Sequence, residues 1–206
     1  MTKTITHIKY NRRDPNQVSI YIDGEVAFSV SLLTAASLYI GRELTQGEIK
    51  IFKKEHHLYT AYGMALTYLS RSPRSRHEIQ CYLRTKKHST EVIRLCLEKL
   101  QKNGYLDDKK FARLFVENRI RFNPKSKFAL RFELSRKGID AEVIEEVVSP
   151  LNDYELAFSA VKKKMSRWHT LPEADLKTKM MSFLSQRGFG YDVAGDTFDR
   201  VICDRQ

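Results

Sequence analysis

The 206 residues are enough for one sizeable core or two smaller ones, and with 42% hydrophobic and 11% aromatic residues they exclude a disordered chain. The formal net charge of +11 points to an anionic partner: nucleic acid, a membrane surface or an acidic protein. Three cysteines (Cys81, Cys96, Cys203), odd in number and without CxxC spacing, fit free thiols in a reducing compartment. The start lacks a secretory apolar core, and the longest uncharged run, Val26 to Ile40, is too short to span a bilayer. The expectation is a soluble, cytoplasmic monomer that does not engage a membrane.

Taken in chain order, Val18 to Ile22 and Val26 to Val30 alternate with period two around Asp23-Gly24, a hairpin signal. A two-residue loop would put Ile20 and Phe28 on opposite faces. A three-residue loop including Glu25 would put Val18, Ile20, Ile22, Val26, Phe28 and Val30 on one face, and burial favours it. Thr4 to Tyr10 supplies a third strand, because a lone hairpin is marginal in water. Arg12 to Asn16 is the turn between these elements. Ser31 caps a short helix, Leu32 to Ile40, that stops at Gly41. Thr45 and Glu48 form a capping box, and helices follow.

From there the sequence repeats. Leu83 to Val92, Leu134 to Val143 and Leu184 to Val193 each read Leu, eight residues, Val, at offsets of 51 and 50. Ser72 to Arg76 aligns with Asn123 to Lys127 at the same offset of 51. A fixed period of this size marks a repeat architecture. Each unit contains three short helices. In the first, Ala61, Ala65, Leu66 and Leu69 form one stripe, Ser75 starts the second helix with Ile79 and Leu83 inward, and Ser89 caps the third. In the second, Asp107 or Asp108 caps a helix with Phe111, Ala112 and Val116, Ser126 opens the next, Gly138 ends it, and Asp140 caps the last. The third runs from Asp153 to a break near Trp168 to Pro172, then through Leu176, Met180 and Leu184 to the Gly188 cap and a final helix. The expected fold class is mainly α: three tandem three-helix repeats in an elongated, curved chain, with a small N-terminal β-hairpin subdomain. The segments are 1–45, 46–106, 107–152 and 153–206. A single compact bundle is the competing packing.

The charge follows the repeat. Arg71, Arg74, Arg76, Arg84, Lys86 and Lys87 stand against Glu78 alone, and Arg121, Lys125, Lys127, Arg131, Arg136 and Lys137 against Glu133 alone. Lys162, Lys163 and Lys164 open a third basic window. Stacked repeats would line the second helices into one basic stripe able to follow a phosphate backbone or an acidic groove; the plainer reading is a solvated helical face.

Motifs for catalysis are missing. No HExxH, GxxxxGK[ST] or GxGxxG occurs, and His56, His57, His77, His88 and His169 form no ligand set with the cysteines. Asp107-Asp108 falls where a helix cap belongs, and Cys96 lies on an apolar stripe. Tyr62, Tyr68 and Tyr82 suit base stacking, yet their helical spacing suits core packing equally. The expectation is a protein that is not an enzyme and uses no cofactor or metal.

Three spaced patterns resemble the RecX family of bacterial recombination regulators: Arg71, Ser75, Glu78, Ile79 and Leu83; Leu100, Gly104 to Asp108, Phe111 and Ala112; and Leu134, Gly138 and Ile139. The resemblance covers residues 60–206, and Tyr21 to Glu25 resembles the N-terminal extension of longer members. Two departures from the family's pattern stand out: Lys87-His88 replaces the Gly-apolar pair in the first repeat, and Gly190 and Gly195 are extra in the third. The resemblance implies tandem three-helix repeats and, as partner, the RecA recombinase filament on single-stranded DNA, whose ATPase, strand exchange and growth the protein would restrain in recombination and repair. Direct binding of single- or double-stranded DNA would accompany it. A DNA-binding module acting without RecA is the alternative, and a metal-dependent nuclease ranks third.

Overall fold

Residues 2–11 and 14–204 are described in a computed structural model. The chain divides into two compact units, one of residues up to 72 with 79–105, the other of 73–78 with 106 onward.

The first unit begins with an antiparallel sheet of β1 (Thr2–Tyr10), β2 (Gln17–Ile22), β3 (Glu25–Ser31) and β4 (Glu43–Thr45), in the order β3-β2-β1-β4. The hairpin loop has two residues, not the expected three: Ile22 pairs with Glu25, and Asp23 and Gly24 adopt φ of 54° and 82°, the left-handed pair of a type I′ turn. The facing conflict is removed by a bulge. Ile20 pairs with Phe28 but Tyr21 with Val26, leaving Ala27 unpaired. Val18, Ile20, Ile22, Phe28 and Val30 are thereby buried together, whereas Val26 is 58% exposed. Of the expected turn, Arg12 and Arg13 lie outside the described residues, and the Asp14 carboxylate accepts from the Asn16 N–H at 3.1 Å.

The helix after β3 is one turn, α1 (Leu32–Ala35), rather than a run to Ile40. Backbone pairing with β1 takes over: the Gly41 N–H donates to the Ile5 carbonyl and the Ile5 N–H to the Arg42 carbonyl. This leads into β4, where Leu44 is fully buried. The Thr45–Glu48 capping box starts α2 (Gln46–Leu69), 24 residues long. Next come α3 (Arg76–Thr85), whose residues 76–78 belong to the second unit, and α4 (Thr90–Lys102), the latter capped by Ser89. Ala61, Ala65, Ile79, Leu83, Cys96 and Leu100 are fully buried. Burial pushes the Cys96 thiol up to about 11, which makes it an inert core residue.

The second unit holds α5 (Asp108–Phe122), α6 (Lys127–Arg136), α7 (Ala141–Val148), α8 (Asp153–Trp168), α9 (Glu173–Ser185) and α10 (Tyr191–Cys203). Phe111, Ala112, Leu130, Leu134 and Val148 centre one core, and Leu156, Val161, Leu176, Met180 and Leu184 another. Ile120 and Leu151 pack against both. Asp140 occupies the N-cap position of α7, but against expectation its side chain makes no capping hydrogen bond. That helix is held through buried Ile144 and Val148.

Lys87, Gly138 and Gly188 close the second helices of their repeats with φ of 60°, 71° and 83°. At the two glycines a neighbour also presses in. A Cβ on Gly138 would lie 2.4 Å from the His77 Cβ, and one on Gly188 would lie 2.7 Å from the Ser126 Oγ. His77 and Ser126 belong to the preceding repeat in each case. Lys87 has no preceding repeat and is exposed, so only the left-handed turn is required there.

Candidate interaction surface

The second helices α3 and α6 start from buried serines. Ser75 forms a capping box with Glu78, and Ser126 accepts from the Ala129 N–H at 3.1 Å. The first backbone donor of each helix is met by the repeat that follows. The Arg76 N–H donates to Asp108 and the Lys127 N–H to Asp153, both at 2.8 Å. The Ser75 Oγ donates to the Lys137 carbonyl at 2.6 Å, and the Ser126 N–H to the Arg187 carbonyl at 3.1 Å. Asp107 caps α5 by accepting from the Lys110 N–H. The adjacent carboxylates therefore serve two different helix ends. Burial, only partly offset by the Arg76 N–H and charge, holds the Asp108 carboxyl above its ordinary value. No grouping of three or more His, Cys, Asp or Glu able to hold a metal occurs among the described residues.

The cations expected on the surface fall into two sets. One set engages partners within the chain. Glu78 takes Lys137 at 2.9 Å and Arg74 at 3.6 Å, and Glu133 takes Arg119 at 2.8 Å and Lys125 at 2.5 Å. Burial pushes both carboxyls up, but hydrogen bonds and charge from these cations (with the Ser75 N–H at Glu78) outweigh it and hold both below the ordinary range. Arg131 grips Glu145 with two nitrogens, at 2.7 and 2.9 Å. Lys127 and Lys163 donate to the carbonyls of Ser149 and Arg121. Arg76 is half-buried at the start of α3. The other set is exposed: Arg71, Arg84, Lys86 and Lys87 in the first unit, Arg121, Arg136 and Lys162 in the second, with Lys164 half-buried. Lys86 lies 5.5 Å from the Tyr82 ring centroid. The tyrosines pack internally. Tyr68 and Tyr82 stack with centroids 4.3 Å apart, and the Tyr62 hydroxyl accepts from Asn103.

Sequence reasoning passed over the exposed phenylalanines. Phe122, Phe128 and Phe132 are 67%, 72% and 58% exposed. The Arg121 guanidinium carbon lies 5.1 Å from the Phe122 ring centroid, and that of Arg136 lies 5.8 Å from the Phe132 centroid. The signal was present: Leu130 and Leu134 face the core, so Phe128 and Phe132, two residues before each, face away.

Four family models match the chain in order: "Regulatory protein RecX N-terminal domain" over residues 3–45, and the first, second and third RecX three-helix domains over 61–100, 107–148 and 152–196. The chain belongs to the RecX family. A regulatory protein RecX from Lactobacillus johnsonii is 31% identical over 202 residues, covering 96% of this chain and 74% of the relative. The Bacillus subtilis regulatory protein RecX is 29% identical, covering 96% and 76%. A crystal structure of a regulatory protein RecX matches with TM-score 0.70 and 26% identity over 96% of this chain and 99% of that one. The expected helical RecX repeats and N-terminal β element are thus present, the latter as four strands. Lys87 takes the same left-handed turn as Gly138 and Gly188 of this chain. No helix among the described residues is long and apolar enough to cross a membrane.

Proposed function

We propose that this chain binds the RecA recombinase filament on single-stranded DNA and restrains its ATPase, strand exchange and growth, without catalysis of its own. The observation that carries the reading is the ordered match to all four RecX domains over nearly the full chain. The regulatory relatives support it, as does the excess of positive charge, which suits a filament built on a polyanion. The proposed contact residues are the basic windows of the repeats, with the exposed cations meeting the partner and the ion-paired ones holding the helices in place.

Titration of the protein into RecA on single-stranded DNA, with ATP hydrolysis as readout, tests this directly. Reversal at Arg74, Lys125 or Arg131 would disturb carboxylates of the chain itself, so charge is reversed at exposed positions. The variants are Arg84→Glu/Lys86→Glu/Lys87→Glu and Arg121→Glu/Arg136→Glu/Lys162→Glu. Both are expected to melt like the parent, since exposed substitutions usually stay within about ±0.5 kcal/mol. Both should inhibit RecA more weakly, with inhibition falling as salt rises. Undiminished inhibition by both across a salt series would remove these windows from the contact. Binding to DNA with no effect on RecA would favour a module that acts without it.

A further inference from the structure

Two features of the second unit meet at one residue. The first is the outward face of α6, where Phe128 and Phe132 are 72% and 58% exposed, four positions apart. The second is a concavity of about 290 Å³ lined by Glu78, Phe115, Arg119, Glu133, Arg136 and Lys137. Arg136 belongs to both: it lines the concavity, and its guanidinium lies 5.8 Å from the Phe132 centroid.

The concavity is electropositive by construction. Its two carboxylates are already shared among Arg74, Lys137, Arg119 and Lys125. Arg136 adds a further cation, so positive charge exceeds negative where an anion would sit. The neighbouring face is aromatic, not aliphatic. Side chains four apart on a helix stand about 5–6 Å apart at Cβ. That exceeds the 3.4 Å rise per nucleotide of a stacked strand, so the two rings suit the faces of bases splayed along an extended strand. A duplex keeps those faces inside its stack.

We propose that α6 is a stacking platform for single-stranded DNA, with Phe128 and Phe132 each receiving a base and the concavity at Arg136 receiving a phosphate of the same strand. The proposal deepens the RecA reading by assigning the strand contact to named side chains, and it rests on that reading for the choice of DNA.

The binding test uses the full chain without RecA, and RecA ATP hydrolysis is followed in parallel. Fluorescence anisotropy compares a labelled oligothymidine, an oligomer of equal length with abasic central positions, and a duplex. Base–aromatic stacking of two bases makes the oligothymidine the tighter ligand, by roughly thirty-fold or more over the abasic strand. Phe128→Ala/Phe132→Ala should bring the two strands to equal affinity, leaving the duplex affinity, the salt dependence and the melting temperature unchanged. Phe128→Tyr/Phe132→Tyr should restore the preference. Arg136→Gln should reduce the salt slope by about one, as loss of one phosphate contact does. The proposal is overturned if the parent binds both strands alike, or if the double Ala variant keeps the preference. A double Ala variant that keeps the preference but no longer slows RecA would assign the face to RecA itself. If the parent shows the preference yet leaves RecA unaffected, the RecA reading fails and the platform stands.

Discussion

Lys87, Gly138 and Gly188 show one backbone requirement met in two ways. All three take the left-handed turn, which costs an ordinary L residue about 1–2 kcal/mol. Only the glycines also face a side chain of the preceding repeat. Lys87→Gly is therefore expected to stabilise the protein by about 1 kcal/mol, less whatever the freer unfolded chain takes back. Gly138→Ala should destabilise it by more than that, because the new Cβ lands 2.4 Å from the His77 Cβ in addition to the φ penalty. Urea unfolding of both variants checks the pair. A loss of stability in Lys87→Gly would show that the lysine side chain contributes something its exposed position does not suggest.

At the scale of elements, α3 and α6 are held at their starts and flanks by half-buried charge. The carboxyls of Glu78 and Glu133 lie below their ordinary value of 4.5. Their contribution to stability is thus fully present above about pH 4.5 and is lost as pH falls through the lowered folded-state values. Asp108 works in the opposite sense. Its carboxyl lies above 3.8 through burial, so its ionised form costs stability, and that cost disappears as pH falls through the raised value. Glu78→Gln/Glu133→Gln should be less stable than the parent at pH 7 and should lose less on acidification below pH 4.5. Parallel acid titrations of the melting temperature measure this, and equal slopes would mean the two glutamates contribute nothing specific. The helices themselves were legible in the sequence, because apolar spacing and capping residues are local. The hairpin register was not, since a single unpaired residue, Ala27, reverses the faces without leaving a mark in the alternation. β4 is three residues long, too short for any period, and forms through pairing with β1 some forty residues earlier.

Across the whole molecule the repeat was readable from the spacing of Leu83, Leu134 and Leu184, all fully buried. The candidate site was readable only in part. Clusters of basic residues stand out in sequence, but the acids that engage them are remote: Lys137 reaches Glu78 across 59 positions and Arg119 reaches Glu133 across 14. Which cations remain for a partner is consequently a tertiary property. Additive repeats predict the effect of shortening the chain. Ending it at Asn152 removes the Asp153 carboxylate from the start of α6 and the core that Ile120 and Leu151 share. The shortened protein should keep helical circular dichroism and melt at a lower temperature. Complete loss of helical signal would mean that the second and third repeats form one indivisible core.

The handing of each helix cap to the next repeat also sets a schedule for synthesis. The amide of Arg76 waits 32 residues for Asp108, and that of Lys127 waits 26 for Asp153. At about 5–20 residues per second on the ribosome, each second helix emerges roughly one to six seconds before the carboxylate that completes its first turn. During those seconds the serine-led start of the helix has its local cap but lacks the hydrogen bond that the next repeat supplies.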